Sequence, residues 1–195
     1  MKKIGLILLF FVAMPLAAQN YTLLNTPQTL DNPNKQEVIE FFSFGCPHCA
    51  ALSSSLNQWE KPLTDDVVLK RVPVSFGRAA WRNVAKMFYA LEAINERVRL
   101  EGKIFNAIHN ERVNLFVPKT MNEWLMKEGV DMTKFNAAFQ SFGVNNALKR
   151  AEKMTNDYAI DGVPALVVNG KYLFSGATEQ TLQEVNQLLE KNPKK

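Results

Sequence analysis

The two cysteines of the chain are Cys46 and Cys49, which lie three residues apart in the run Cys46-Pro47-His48-Cys49. A disulfide between them closes so short a loop that it removes little conformational entropy from the unfolded chain. Such a bridge adds little stability, so the spacing favours thiol–disulfide exchange over a structural role. One purely structural disulfide stays open as an alternative.

Metal binding and haem attachment are two further uses of a close cysteine pair. A structural zinc site needs four ligands, and the chain offers only two histidines, His48 and the distant His109. His48 lies between the two cysteines, where it can hardly share a metal with both sulfurs. Haem attachment requires a histidine directly after the second cysteine, and Ala50 stands there instead. The sequence therefore predicts no metal and no bound cofactor.

The elements around the cysteines predict a strand–helix–strand unit. Residues 38–42 form a short apolar and aromatic run that is typical of a buried strand. Helical periodicity starts at Pro47 and stops at Pro62, and residues 67–72 form a second strand. A crossover helix favours a parallel pair of strands, so the cysteines should lie where the first strand passes into the helix.

This position predicts unequal roles for the two sulfurs. Cys46 falls at the start of the helix, where free N–H groups and the positive end of the helix dipole favour a thiolate and lower its pKa. We expect Cys46 to be the exposed sulfur that exchanges with a substrate, and Cys49, deeper on the same face, to resolve the mixed disulfide. Pro47 suits the first helical turn, and His48 can stabilise the Cys46 thiolate. A site of this kind favours its reduced form and gives its disulfide away.

Two other positions bear on this chemistry. Glu40 interrupts the first strand, either as a solvent-facing residue or as a buried carboxyl with a raised pKa that exchanges protons with Cys49. Pro164 begins a later strand, where an ordinary trans proline is the default. His109, in a helical stretch without an evident partner, is interpreted as a surface or satisfied core residue.

The remaining chain predicts a helical block followed by a return to strands. Helical stripes follow one another between residues 77 and 158, the first of them formed by Trp81, Val84, Phe88, Leu91, Ile94 and Val98 and a later one by Phe135, Ala138, Phe139 and Phe142. Residues 165–168 and 171–174 flank Asn169-Gly170, a strong hairpin signal, and a last helix runs from Thr178 towards Asn192. These elements predict an α/β fold with an all-helical insertion.

The first residues are typical of an export signal. Two lysines precede an apolar run over residues 4–14, and small residues follow at Ala17 and Ala18. The run is shorter than the ~20 residues that a membrane span needs. We expect residues 1–18 to be a cleaved signal peptide, and their loss lowers the formal net charge from +4 to +2. So weak a charge does not suggest nucleic-acid binding.

Two runs of sequence resemble the DsbA family of periplasmic disulfide oxidases: residues 38–49 (VIEFFSFGCPHC) and residues 161–172 (DGVPALVVNGKY). The resemblance implies a thioredoxin fold with a large all-helical domain inserted between the second and third core strands. The chain then divides into a first thioredoxin-fold segment (19–76), the inserted domain (77–158) and a second thioredoxin-fold segment (159–195). Gly45 departs from many relatives, which carry a bulkier residue before the first cysteine.

The resemblance also implies roles for individual residues. It makes Cys46 the nucleophile and Cys49 the resolving thiol, with His48 stabilising the reduced form. It implies a cis Val163-Pro164 bond that faces the dithiol, with the Val163 backbone pairing with substrate. It moves Glu40 towards the buried, proton-handling role.

The function expected on these grounds is that of a periplasmic, monomeric oxidase that donates its disulfide to reduced, newly exported polypeptides. A membrane quinone-linked enzyme of the DsbB type would re-oxidise it. An isomerase or reductase using the same dithiol, and a redox-inert peptide-binding chaperone, are the alternatives.

Overall fold

The computed structural model describes residues 20–193 of the chain. The signal peptide expected over residues 1–18 lies outside this range. The described residues form the following elements in chain order: β1 (Thr22–Leu23), β2 (Gln36–Phe42), α1 (Pro47–Glu60), β3 (Val67–Pro73), α2 (Ala79–Ala93), α3 (Arg97–His109), α4 (Pro118–Lys127), α5 (Met132–Gln140), α6 (Phe142–Asp157), β4 (Ala165–Val168), β5 (Tyr172–Ser175) and α7 (Glu179–Lys191).

The five strands form one mixed sheet in the order β1-β5-β4-β2-β3. Strand β2 lies between β3, with which it pairs in parallel, and β4, with which it pairs antiparallel. Every residue of β2 is buried, as expected for an apolar strand covered on both faces. The predicted α/β fold is confirmed, and helices α2–α6 lie between the second and third of the four longer strands. The two-residue strand β1 was not predicted, because so short an edge strand leaves no periodicity in the sequence.

The β4–β5 hairpin forms where the sequence predicted it. Asn169 and Gly170 both adopt positive φ, at 51° and 63°, as a two-residue turn of type I′ requires. A Cβ atom added at Gly170 would lie 2.3 Å from the carbonyl oxygen of Gln28. The turn therefore needs glycine both for its conformation and for the close approach of the Gln28 segment.

Two of the predicted helical stripes extend past the end of the helix that the structure contains. The predicted stripe that starts at Trp81 reaches Val98, but α2 ends at Ala93 and Asn95 has a positive φ of 61°. Val98 therefore belongs to α3 and is 80% exposed. Phe142 is also 80% exposed, because the extended residue Ser141 separates α5 from α6 and caps the latter. Helical periodicity runs through such single-residue breaks, so the pattern alone did not reveal them.

The core places the cysteines between the sheet and the inserted helices. Cys46 and Cys49 belong to one buried apolar cluster with Phe42 and Phe44, which precede them, and with side chains of α2–α6 such as Phe88. The aromatic rings of Phe42 and Phe44 meet edge to face, with centroids 5.2 Å apart. The segment that leads into the dithiol is thus fixed by the packing of the insertion as well as by the sheet.

Candidate active site

The backbone around Cys46 confirms the predicted start of helix α1. Cys46 is the N-cap residue, with extended backbone angles, and Pro47 is the first helical residue. The Cys46 carbonyl accepts the first hydrogen bond of the helix from Ala50 N, at 3.1 Å. No side chain caps this end and its first turn holds no acidic residue. The N–H groups and the positive end of the helix are therefore left to act on the sulfur.

Both cysteines are free thiols and both are buried, which corrects the expectation of an exposed Cys46. Cys46 exposes 6% of its surface and Cys49 none, so the predicted order of depth is right. The reason for the low exposure is a segment distant in sequence. The carbonyl oxygen of Val163 lies 3.2 Å from Cys46 Sγ and accepts a hydrogen bond from the thiol.

The pKa values of the two thiols are shifted from the ordinary value of 9.0 in opposite directions. The pKa of Cys46 is lowered from 9.0 to about 6, chiefly by a hydrogen bond from the Cys49 side chain. Burial opposes this effect, whereas the backbone N–H groups of Cys49 and His48, and then the charge of His48, add to it. The hydrogen bond to Cys46, together with burial, raises the pKa of Cys49. The lowered pKa of Cys46 agrees with a thiolate-favouring site, and Cys49 contributes more to it than His48 or the helix start.

Val163 and Pro164 lie against the dithiol, and the peptide bond between them is cis, as the sequence resemblance implied. His48 is exposed and lines, together with Val163 and Pro164, a cleft of about 530 Å³ that continues along Ala177 and Glu179. Pro47 is also exposed and borders a second cleft, between α1 and α3. The start of helix α1, next to Cys46, therefore borders two clefts.

Glu40 is buried, so the alternative of a solvent-facing residue is wrong. It lies at the centre of β2, where strands cover both edges and 3% of its surface is exposed. Burial raises its pKa to about 8, against the opposing effect of Arg71. The Arg71 Nε atom is 3.2 Å from Glu40 Oε2. At neutral pH the carboxyl is thus predominantly protonated. Where it ionises, its negative charge adds to the influences that raise the pKa of Cys49.

The sequence interpretation missed Arg71 and Glu101. It placed Arg71 in a strand without a role, and Glu101 in a helix. The structure pairs Arg71 directly with Glu40 in the parallel register of β2 and β3 and buries its side chain to 5% exposure, with Glu101 on the same guanidinium. The one feature of the sequence that could have indicated this cluster is an arginine inside an otherwise apolar strand. Its partners depend on strand register and helix docking, which a single sequence does not specify.

Two further residues hold the segment before Cys46. His109 Nε2 lies 2.8 Å from the carbonyl oxygen of Phe44 and donates to it, since a carbonyl can only accept. This confirms the interpretation of His109 as a satisfied residue. At Gly45 an added Cβ atom would lie 2.6 Å from Trp81 Nε1. The indole of Trp81 thus occupies the space that a larger residue at this position would fill.

The described residues were also compared with what a metal site and a membrane-spanning helix require. Residues 20–193 contain no cluster of three or more histidine, cysteine, aspartate or glutamate side chains placed to hold a metal ion. Over the same residues, no helix is both long enough and apolar enough to cross a membrane. The reactive group that the described chain presents is the dithiol itself.

Comparisons with known proteins point to one family. A family model described as "DSBA-like thioredoxin domain" matches residues 37–186. The chain is 44% identical over 158 residues to a thiol:disulfide interchange protein DsbA of Bordetella parapertussis, covering 81% of this chain and 75% of the relative. It resembles the crystal structure of Pseudomonas aeruginosa DsbA with a TM-score of 0.83 and 36% identity, covering 88% of this chain and 91% of that one. NmDsbA1 from Neisseria meningitidis, described as an oxidoreductase, gives a TM-score of 0.79 at 29% identity, with 89% and 91% covered.

Proposed function

The chain belongs to the DsbA-like family of thioredoxin-fold disulfide oxidoreductases, and from this premise we propose that it works as an oxidase, donating a Cys46–Cys49 disulfide to reduced polypeptides. The observation that carries the direction is the lowered pKa of Cys46, at about 6. A thiolate that is stable at neutral pH stabilises the reduced enzyme and therefore makes its disulfide a better oxidant.

The reaction proceeds in two exchanges. A substrate thiolate attacks Cys46 Sγ, forming a mixed disulfide and releasing the sulfur of Cys49, which takes up a proton because its pKa is raised. A second substrate thiolate then attacks the substrate sulfur of the mixed disulfide and releases Cys46. Because leaving groups of low pKa leave faster, the Cys46 thiolate favours this second step. The substrate loses two electrons, and the enzyme dithiol gains them.

Glu40 is suited to supply the proton that Cys49 takes up. With a pKa of about 8, it holds a proton at neutral pH, and a group whose pKa lies near the working pH is the most effective acid or base. After the enzyme is re-oxidised, the same carboxyl can regain its proton. We therefore assign Glu40 the proton-handling role and His48 the lesser role of stabilising the Cys46 thiolate.

The substrate and the partners follow from the same proposal. Substrate polypeptide lies along the cleft beside His48, with its backbone paired to Val163 next to Pro164. The enzyme acts as a monomer in the periplasm, after removal of residues 1–18, and a membrane quinone-linked enzyme of the DsbB type accepts its two electrons. Residues 77–158, which contain α2–α6, form the inserted domain between the thioredoxin-fold segments 19–76 and 159–195.

Equilibration against a glutathione redox buffer tests the direction of the reaction. We expect a reduction potential well above that of thioredoxin, which is about −270 mV. The Cys46→Ser variant is the matched control and should show neither the redox transition nor oxidation of a reduced model protein. A potential at or below the thioredoxin value would favour the reductase alternative. Full biological activity of Cys46→Ser would favour a chaperone.

A further inference from the structure

The guanidinium of Arg71 lies among three carboxyl groups from three different elements. Arg71 Nε is 3.2 Å from Glu40 on β2 and 3.3 Å from Glu101 on α3, and Arg71 Nη1 is 2.9 Å from Glu60 at the end of α1. Its second amino group donates to Asn57 Oδ1 at 2.7 Å. One positive charge therefore faces three acidic groups.

These four charged groups are not equally accessible to water. The side chains of Arg71, Glu40 and Glu101 are 5%, 4% and 7% exposed, whereas that of Glu60 is 39% exposed. In a buried site a single cation cannot stabilise several carboxylates at once, because like charges at short range disfavour ionisation. The cluster therefore retains a proton at neutral pH, and the least solvated carboxyl, that of Glu40, is the one that holds it.

Glu101 has a second partner that Glu40 lacks. Arg97, one turn earlier on α3, places Nη1 2.7 Å from Glu101, and its Nε lies 3.4 Å from Glu92 of α2. Glu101 thus lies within ion-pair distance of two arginines, Arg71 and Arg97, although it is buried. The inserted helices thereby place a second acidic group next to the guanidinium on which Glu40 depends.

We propose that Glu101 is a positioning residue that competes with Glu40 for Arg71, so that the helical insertion keeps Glu40 able to carry a proton. The proposal rests on the proton-handling role of Glu40 in the proposed function. Without Glu101, the charge of Arg71 would act on Glu40 with less opposition and would lower its proton affinity, which leaves less proton to give to Cys49. A purely structural role for Glu101, tying α3 to β3, would affect stability but would leave the proton affinity of Glu40 unchanged.

The groups around Glu40 act in known directions. Burial has the largest effect on the pKa of Glu40 and raises it. The positive charge of Arg71 comes next and lowers the pKa, followed by the negative charges of Glu101 and then Glu60, which raise it. Cys49, on α1, faces Glu40 from the dithiol side, and its raised pKa keeps it uncharged while Glu40 titrates. Arg97 lies beyond Glu101, and its charge moderates the effect of that carboxylate.

Titration of Glu40 in the intact protein, followed by carbon-13 NMR of labelled glutamate carboxyls, tests the proposal. The signal is assigned by its loss in Glu40→Gln. We expect Glu101→Gln, which preserves shape and leaves Arg71 paired with Glu40 and Glu60, to lower the Glu40 midpoint by at least about one pH unit, a tenfold loss of proton affinity. Glu60→Gln should lower it less, because Glu60 is more exposed to solvent.

Glu92→Gln is the matched control, since it removes a negative charge from the same chain of ion pairs without touching Arg71. It should leave the Glu40 midpoint within a few tenths of a pH unit of the parent. If Glu101→Gln folds poorly, the proposal is tested by the Glu40 midpoint of Glu60→Gln compared with that of Glu92→Gln. A midpoint that does not fall in Glu101→Gln or Glu60→Gln, or that falls equally in Glu92→Gln, overturns the proposal.

The outcome is separable from that of the proposed function. Glu40 titration is read from its own carboxyl and does not require oxidase activity. A thioredoxin-like potential with a shifted Glu40 midpoint would refute the oxidase and retain the competition for Arg71. An oxidising potential with an unshifted Glu40 midpoint would retain the oxidase and refute the competition for Arg71.

Discussion

At the scale of single residues, the two sulfurs of the dithiol control each other. The Cys49 thiol donates the hydrogen bond that contributes most to the low pKa of Cys46, and the same bond holds the proton on Cys49. His48, exposed at the rim of the cleft, contributes less through its charge than the backbone N–H groups do. In the reduced site the second cysteine therefore stabilises the thiolate that the oxidation of substrate leaves on the first.

Replacing Cys49 by alanine should raise the pKa of Cys46 by about one unit or more, because the donor is lost while burial remains. His48→Ala should raise it by a smaller amount. Both values can be measured from the ultraviolet absorbance of the thiolate as a function of pH. A larger effect of His48→Ala than of Cys49→Ala would show that charge, and not the sulfur–sulfur hydrogen bond, dominates.

At the scale of elements, two glycines differ in what their surroundings require. In the β4–β5 turn, Gly170 has positive φ and touches the Gln28 carbonyl. Gly102, inside α3, has ordinary helical φ and no atom within 4 Å of an added Cβ. The first glycine is required by its surroundings and the second is not, although the two look alike in the sequence.

Alanine at these two positions should therefore change stability in opposite directions. Gly170→Ala should lower the free energy of unfolding by about 2 kcal/mol, through backbone strain and collision with Gln28. Gly102→Ala should raise it by ~0.5–1 kcal/mol, since alanine is the better helix former. Urea denaturation of both variants measures the difference, and equal effects of the same sign would contradict the structural distinction.

At the scale of the whole molecule, a charged cluster between sheet and insertion makes stability depend on pH. The pKa of Glu40 is about 8 in the folded chain, against an ordinary value of 4.5. Its protonated form therefore favours folding, and this contribution is complete below about pH 4.5. It diminishes as the pH rises from about 4.5 through 8, because over that range the unfolded chain ionises the group while the folded chain retains the proton.

Glu40→Gln should remove this dependence. Relative to the parent, the reduced variant should gain about 3.5 kcal/mol of unfolding free energy between pH 5 and pH 8. Arg71 stays paired with Glu60 and Glu101, so no buried charge is left without a partner. Urea titrations of parent and variant, both reduced so that the thiol contributions cancel, measure the effect. If the unfolding free energies of parent and variant differed by the same amount at both pH values, Glu40 would have the ordinary pKa of a carboxyl.

The amino-acid sequence alone predicts the features that depend on neighbours along the chain. The spacing of Cys46 and Cys49, Pro47 at the helix start and the Asn169-Gly170 turn each have a local physical reason, and the structure contains all three. The same local logic placed the strands, the hairpin and the block of helices. Breaks such as that at Asn95 escaped it, because one residue of unusual φ scarcely disturbs a helical pattern.

The surroundings of those features depend on how distant segments pack together. The burial of Cys46 under Val163 joins residues that are 117 positions apart. The choice between an exposed and a buried Glu40, and its competition with Glu101 for Arg71, depend on strand register and on how α3 docks. Burial and charge pairing act through space, and a single sequence does not encode those distances in any local pattern. The sequence thus identified the reacting groups, whereas the fold set their pKa values.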